Sequence, residues 1–530
     1  MKHNGVLVSR FAVVISSLAV LILTLQDTRA AGVTLITHGL NGDTDGWITA
    51  MGNAIARYSQ RTTNAAIFKF QFYYTNGFWQ LYSTKLGGGD PLTTPGGEMV
   101  VLFDWSQLSD GLVYSTYNIA DALAPALIST NFVPELGGHA LAEFPLHLIG
   151  HSRGGSLICE LSRLLGENGI WVDQVTTLDA HPLNNDGFLD LPLLAVDAPA
   201  EIYENVLFGD SYYQDSNLVI HGEPVPGSFW RQQTVLTGGY TDILDGSHSD
   251  IHLWYHGTID LSTPTTDSEA EITSAERDTW WTSPEFYGRE AGFFYSLVGG
   301  GDRLSTTDPN GVDSVRPLDG FNSHCDVGAG LLDNRTALAT NNGDWPSPIR
   351  LNLTSTNIVS PGDTSTLFLY YQWAKPTDGS QTVAVYLDED LNPLNGNERL
   401  LEAGTVHWTN ATLFGSGPIS VQWNATNASA GFYAIFVKFS SDNNSRYLYA
   451  PEFLQILPPV PPGLDIKAQF PGTVIVAVTG AVGQTMVLQQ STDLTFWQSL
   501  ATNTLTSTRW ETTLPVAGTV DGEFFRVLRQ

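Results

Sequence analysis

The sequence predicts an α/β fold, a mostly parallel sheet with helices on both faces, followed by two all-β domains. Three observations predict it. From residue 31 to about residue 345, apolar runs alternate with helical stretches. After Trp345-Pro346-Ser347-Pro348 the helical periodicity disappears, and short alternating runs take over, separated by Asn, Asp, Gly and Ser. A proline-rich linker over residues 458–463 then sets off a last small segment. The expected domains are therefore 31–345, 346–457 and 464–530.

The elements follow in order. Val33–Thr37 is a short apolar run ending in His38-Gly39, and Trp47–Tyr58 has helical spacing. Residues 99–103 read as a buried strand, 117–129 as a helix and 146–149 as a strand. Residues 156–165 form a helix with Leu157, Leu161 and Leu164 on one face. Val172–Leu178 and residues 205–208 are further strands. Residues 366–373, 382–387 and 431–439 read as a β-sandwich. Thr473–Thr479, Thr485–Ser491 and residues 524–528 suggest a second, smaller β-domain. The polar, acidic stretch 263–276 reads as a surface loop.

Composition narrows the function. The chain has 530 residues, of which 42% are hydrophobic and 15% charged, so it is not a disordered chain. Its 24 Lys+Arg against 54 Asp+Glu give a net charge of −30, a surface that repels phosphate backbones and excludes a nucleic-acid partner. Two cysteines, Cys159 and Cys325, rule out a disulfide framework and a cysteine-built metal site. Lys2, Arg10, an apolar run over 11–25 and Thr28-Arg29-Ala30 have the layout of a secretory signal peptide cut after Ala30. Its removal leaves a charge of −32, and no other apolar stretch is long enough to span a bilayer. The expected location is extracellular, where a Cys159–Cys325 bridge is permitted.

The chemistry concentrates at Ile149-Gly150-His151-Ser152-Arg153-Gly154-Gly155, a Gly-x-Ser-x-Gly between an apolar strand and an amphipathic helix. A serine on so tight a turn projects its hydroxyl above the sheet, and the helix N-terminus favours a developing oxyanion. Ser152 is the expected nucleophile. It needs a base, and the segment from Gly246 to His256 is the richest in histidine. His248 is the leading candidate, on a polar start before an apolar run, with His252 and His324 behind it. His248, His252 and His256 at i, i+4, i+8 lack the Glu of the metalloprotease pattern. The orienting acid lies at a strand end between them, and spacing leaves Asp179 and Asp210 nearly equal. The expected oxyanion donors are the backbone N–H groups of Arg153 and Leu40.

From Leu35 to Tyr255 the chain resembles the α/β-hydrolase fold, and most closely its pancreatic-lipase-type lipases. Four motifs carry the resemblance: Thr37-His38-Gly39 followed by Trp47; Phe103-Asp104-Trp105; the serine segment; and Thr177-Leu178-Asp179-Ala180-His181-Pro182. The resemblance implies a serine esterase or lipase and favours Asp179 as the acid. Arg153 stands where those lipases usually have Leu, and Leu-Asp-Ala replaces Leu-Asp-Pro. Residues 346–457 resemble immunoglobulin-like accessory modules, and 464–530 small C-terminal β-domains of secreted bacterial proteins.

Weaker signals complete the reading. Eight aromatics between Phe68 and Tyr82 read either as a substrate wall or flap, or as a buried strand with a loop after it. Asp388, Asp390 and Asn392 have the 1, 3, 5 spacing of a calcium loop, so a structural calcium in the 388–398 loop is a minor expectation. Asn352, Asn410 and Asn424 begin glycosylation sequons. The expectation is a secreted serine hydrolase cleaving carboxylic esters through Ser152, His248 and Asp179, with no cofactor for catalysis. Lipid, polyester and esterified polysaccharide stay open as substrates, and the C-terminal domains are expected to bind a surface or glycan. The alternative is a non-catalytic extracellular binding or adhesion protein on a hydrolase fold.

Overall fold

The computed structural model describes residues 32–58, 65–96, 98–183, 195–216, 220–233, 236–241, 246–260, 264–267, 269–280, 292–299, 335–339, 345, 347–354, 356–360, 364–373, 379–408, 415–424, 429–441, 444–458, 461–469, 472–480, 482–515 and 523–530. The expected signal peptide, His324 and Cys325 lie outside these residues, as do the sequon at Asn410 and all but the first residue of that at Asn424. Among the described residues no helix is long and apolar enough to cross a membrane.

The first unit is built on one eight-stranded sheet. Its strands are β1 (Val33–Thr37), β2 (Ala66–Thr75), β3 (Phe78–Gly87), β4 (Met99–Asp104), β5 (Leu146–His151), β6 (Val172–Leu178), β7 (Val206–Tyr213) and β8 (Phe229–Gln232). Their spatial order is β3-β2-β4-β1-β5-β6-β7-β8. The helices are α1 (Trp47–Tyr58), α2 (Thr116–Ile128), α3 (Arg153–Glu167), α4 (Gly246–Gly257) and α5 (Ser274–Trp280). Apolar spacing explains their packing. Ile48, Met51 and Ile55 of α1 recur one turn apart and pack with Ile36, Val100, Leu102 and Ile149 and with Ile251 and Trp254 of α4. Alternate strand residues, Leu35, Phe70, Val101 and Leu148, join a second core with Leu123 of α2 and Leu157 and Leu161 of α3.

The expected fold class needs correction. Among the described residues twenty-three strands stand against five α-helices, spread over five sheets, so the chain is mostly β. The largest sheet is mixed, because β2 and β3 form an antiparallel hairpin. Strand-helix alternation also stops early: among the described residues no helix lies between β6, β7 and β8. A doubly covered, mostly parallel sheet is thus not what these elements define. The physical reason is that periodicity reports single elements, whereas strand direction and the number of covering helices depend on pairing it does not encode.

Beyond residue 346 all the described elements are strands. One group pairs as a six-stranded and a three-stranded sheet around Leu367, Leu369, Val385, Ile435 and Val437. It is packed hard against the first unit. Phe144 stacks on Tyr447 at 5.3 Å, Arg446 donates to the Trp171 carbonyl at 3.0 Å, and Asn392 donates to the carbonyls of Pro91 and Thr94. In the last group two three-stranded sheets enclose Val476, Val478, Met486 and Leu488.

Candidate active site

The site forms where β1, β5 and β6 end. Ser152 follows β5 with φ +58° and ψ −127°, a costly conformation for a residue with a side chain. Its surroundings hold it there. Ser152 N–H donates to the Leu178 carbonyl at 3.0 Å, and its own carbonyl accepts from Gly155 and His181. Two glycines make the close approach feasible. A Cβ on Gly39 would lie 2.4 Å from Ser152 Cβ, and one on Gly154 would lie 2.5 Å from the His38 carbonyl oxygen. The loop after β1 therefore lies against the start of α3. Leu40, Arg153 and Ser152 line one cavity of about 710 Å³ together with His151, His181, His248 and His252.

Distance separates the two candidate carboxylates. Asp179 directly follows β6 with φ +46° and is fully buried. Its Oδ2 accepts from His248 Nδ1 at 2.6 Å and from Gln214 Nε2 at 2.9 Å, and its Oδ1 accepts from the Gln214 backbone N–H at 2.8 Å. Burial disfavours charge on both partners, raising Asp179 to about 7 and lowering His248 to about 3. The two N–H donors of Gln214 oppose the rise at Asp179. With Nδ1 committed to Asp179, Nε2 is the ring nitrogen left for proton transfer. Asp210 stands elsewhere. The strand expected over 205–208 runs on to Tyr213, so Asp210 sits inside β7 and accepts from Thr176 Oγ1 at 2.6 Å and Gln174 Nε2 at 3.0 Å.

His248 was expected on a loop and occupies the first turn of α4 instead. His252, one turn on, faces the same cavity and stacks on Trp47 at 4.2 Å. His151 donates from Nε2 to the His248 carbonyl at 3.0 Å, and its ring lies 4.3 Å from that of His248. Burial and then the neighbouring imidazoles hold His151 down to about 3 and His252 well below its usual value. His38 is structural: its Nε2 accepts from Trp105 N–H at 3.2 Å, so Nδ1–H is left to donate to the Gly39 carbonyl at 2.9 Å.

Arg153 has two separate parts. Its side chain is buried and forked onto Asp197, with Nε and Nη2 each 2.7 Å from a carboxylate oxygen. Nη1 and Nη2 also donate to the Ser109 and Tyr114 carbonyls. The guanidinium is thus spent on structure, and only the backbone N–H is in question for an oxyanion. Sequence reasoning missed Asp197 and Gln214. Neither carries a local signal, since each meets its partner from a distant loop.

Among the described residues no group of three or more His, Cys, Asp and Glu could hold a metal. In the 388–398 loop Asp388 accepts from the Tyr449 hydroxyl, and Asp390 accepts from Asn392 N–H and from Asn395 and Asn397 Nδ2. Cys159 is a buried free thiol, and burial pushes it up to about 12.

Neither a protein-family model nor a curated protein matches the chain. Among solved structures it is similar to a CARDB domain from Pyrococcus furiosus, with 12% identity over 22% of this chain and 99% of that one, at a TM-score of 0.15. The human OSCAR ligand-binding domain matches with 14% identity over 35% of this chain and 90% of that one, also at 0.15. A red sea bream transglutaminase matches with 7% identity over 40% of this chain and 31% of that one, at 0.16. These scores assign no fold to the chain. None of the three is an α/β-hydrolase-fold match, and the expected kinship with that fold and with pancreatic-lipase-type lipases is not upheld. The motifs behind it are short, and a serine turn needs only one strand, one tight turn and one helix. The functional reading therefore rests on the site's own geometry.

Proposed function

We propose that the chain is an exported serine hydrolase of carboxylic esters. One observation carries the reading. Asp179 holds His248 at 2.6 Å, and the same imidazole lines one cavity with a strained, partly enclosed Ser152.

The steps follow from the groups at hand. Ser152 Oγ bonds to the ester carbonyl carbon while His248 Nε2 takes the hydroxyl proton. The carbonyl oxygen becomes an oxyanion held by the N–H groups of Leu40 and Arg153. Asp179 keeps the imidazole in the tautomer with Nδ1–H and stabilises its charged form. Collapse breaks the bond to the alcohol oxygen, which leaves with the proton from Nε2. Water then attacks the acyl-Ser152 with His248 as base, releasing the acid and restoring the serine.

The test is hydrolysis of 4-nitrophenyl acetate by residues 31–530. Turnover that falls at least a thousandfold in Ser152→Ala supports the reading. Turnover that is absent from the parent, or unchanged in the variant, sinks it.

A further inference from the structure

We propose that the outward face of the β2–β3 hairpin is a docking strip for a neutral glycan chain and leads it to the Ser152 cavity. The substrate would then be an ester carried on that glycan, a point that rests on the esterase reading. The strip itself does not.

The hairpin is built to project. β2 pairs with β4 only from Ala66 to Gln71, so from Phe72 onward β3 is its one strand partner. Asn76 and Gly77, at φ 54° and 85°, close it as a two-residue turn of the type that suits the twist of paired strands. Phe68, Phe70 and Phe72 point into the core, and Trp79 and Leu81 pack against it. Alternation then forces the other row outward. Tyr73 is 49% exposed, Phe78 70% and Tyr82 41%.

This row is ordered by its own hydrogen bonds. The Tyr73 hydroxyl donates to Gln71 Oε1 at 2.7 Å, the Tyr82 hydroxyl donates to Gln80 Oε1, and the two tyrosine rings meet edge to face at 5.8 Å. Flat rings held beside amides offer apolar faces and hydrogen-bonding groups together, which is what a sugar ring presents in return. From Lys69 to Thr75 the strip is roughly 20 Å long, enough for several sugar units.

The strip also reaches the cavity. Gln71 Nε2 and Lys69 Nζ lie 2.9 and 2.8 Å from Asp104 Oδ2, and Lys69 extends to 3.8 Å from Asp45, which lines the cavity wall. That wall is polar for an acyl pocket. Asn41, Asp43, Asp45 and Glu269 share it with the rings of Trp47 and Tyr240. Charge favours a glycan over a membrane as the occupant. The one cation of this row, Lys69, is occupied by Asp104 and Asp45, and a chain of net charge −30 is repelled by anionic lipid and by anionic polymers.

The experiment uses residues 31–530 with Ser152→Ala, so that no turnover is needed. Retardation is measured in gels containing acetylated glucomannan or, separately, carboxymethyl cellulose. Sedimentation with phosphatidylcholine vesicles is measured alongside. The expected result is retention by acetylated glucomannan alone, weakened at least tenfold by Tyr73→Ala with Tyr82→Ala and unchanged by Tyr74→Ala. Tyr74 lies on the opposite face of the same strand. Melting temperature reports folding of each variant. No retention by glucomannan overturns the proposal, as does equal loss in Tyr74→Ala or co-sedimentation with vesicles instead. Failure of the parent chain to cleave 4-nitrophenyl acetate would remove the esterase reading and leave this binding result standing.

Discussion

Asp179, just past β6, and Asp210, within the neighbouring β7, are both fully buried and looked interchangeable by spacing. One follows its strand and meets an imidazole; the other lies within its strand and meets a hydroxyl and an amide. The difference lies in where each strand stops. β6 stops at Leu178, so the next backbone unit turns and presents Asp179 to α4. β7 continues to Tyr213, so Asp210 stays between β-strand neighbours. Two more buried carboxylates extend the comparison. Asp197 holds the Arg153 guanidinium, and Glu98 accepts from the Thr34 hydroxyl at 2.8 Å. What a buried carboxylate does is set by its partner.

The comparison breaks most visibly at Asp179. Asp179→Asn should lower 4-nitrophenyl ester turnover by about 10³–10⁴ with the fold retained, because the amide no longer holds the Nδ1–H tautomer. Steady-state rates and a melting curve read it together, and an active Asp179→Asn would move the acid elsewhere. Next comes Arg153→Met, which leaves Asp197 charged and buried. It should cost about 3–5 kcal/mol of stability, read as a lowered urea midpoint of the first unit. Asp210→Asn is the matched control for Asp179. It should cost about 1–3 kcal/mol and leave turnover within a few-fold, since Asp210 accepts from Gln174 and Thr176 where Asp179 accepts from the His248 imidazole.

Glu98 gives the smallest effect and the sharpest sign. Burial raises its carboxyl to about 8, despite the Thr34 hydroxyl, so the folded chain keeps a proton there that the unfolded chain releases near pH 4. Stability contributed by that proton is full below pH 4 and is lost as pH rises toward 8. Glu98→Gln does not titrate. Its melting temperature should gain on the parent by about 2 °C or more between pH 5 and 8, and a constant difference would contradict the buried acid.

Many of the elements were legible in the sequence, and so were several of the residues that the fold brings to one cavity. Trp47–Tyr58 and Val172–Leu178 coincide with their expected spans because apolar spacing and burial agree along them. The position of Ser152 between a strand and a helix was legible because strand, glycines and helix all sit within one short segment. His248 was legible as a residue but not as a helix position, since a polar first turn looks like loop. The choice between Asp179 and Asp210, the Gln214 donors and the Arg153–Asp197 fork were not legible. Each depends on where a strand ends or on a loop tens of residues away. The overall class also escaped, because pairing direction and the weight of twenty-three strands against five α-helices among the described residues are properties of assembly.

A nucleophilic Ser152 driven by His248 should react with an electrophile that mimics an ester. The measurement is labelling of residues 31–530 with a fluorophosphonate, read by intact mass beside Ser152→Ala and His248→Ala. The expected result is one adduct on the parent, none on Ser152→Ala and a much slower one on His248→Ala. An adduct that persists in Ser152→Ala, or a folded parent that takes no label, would contradict it.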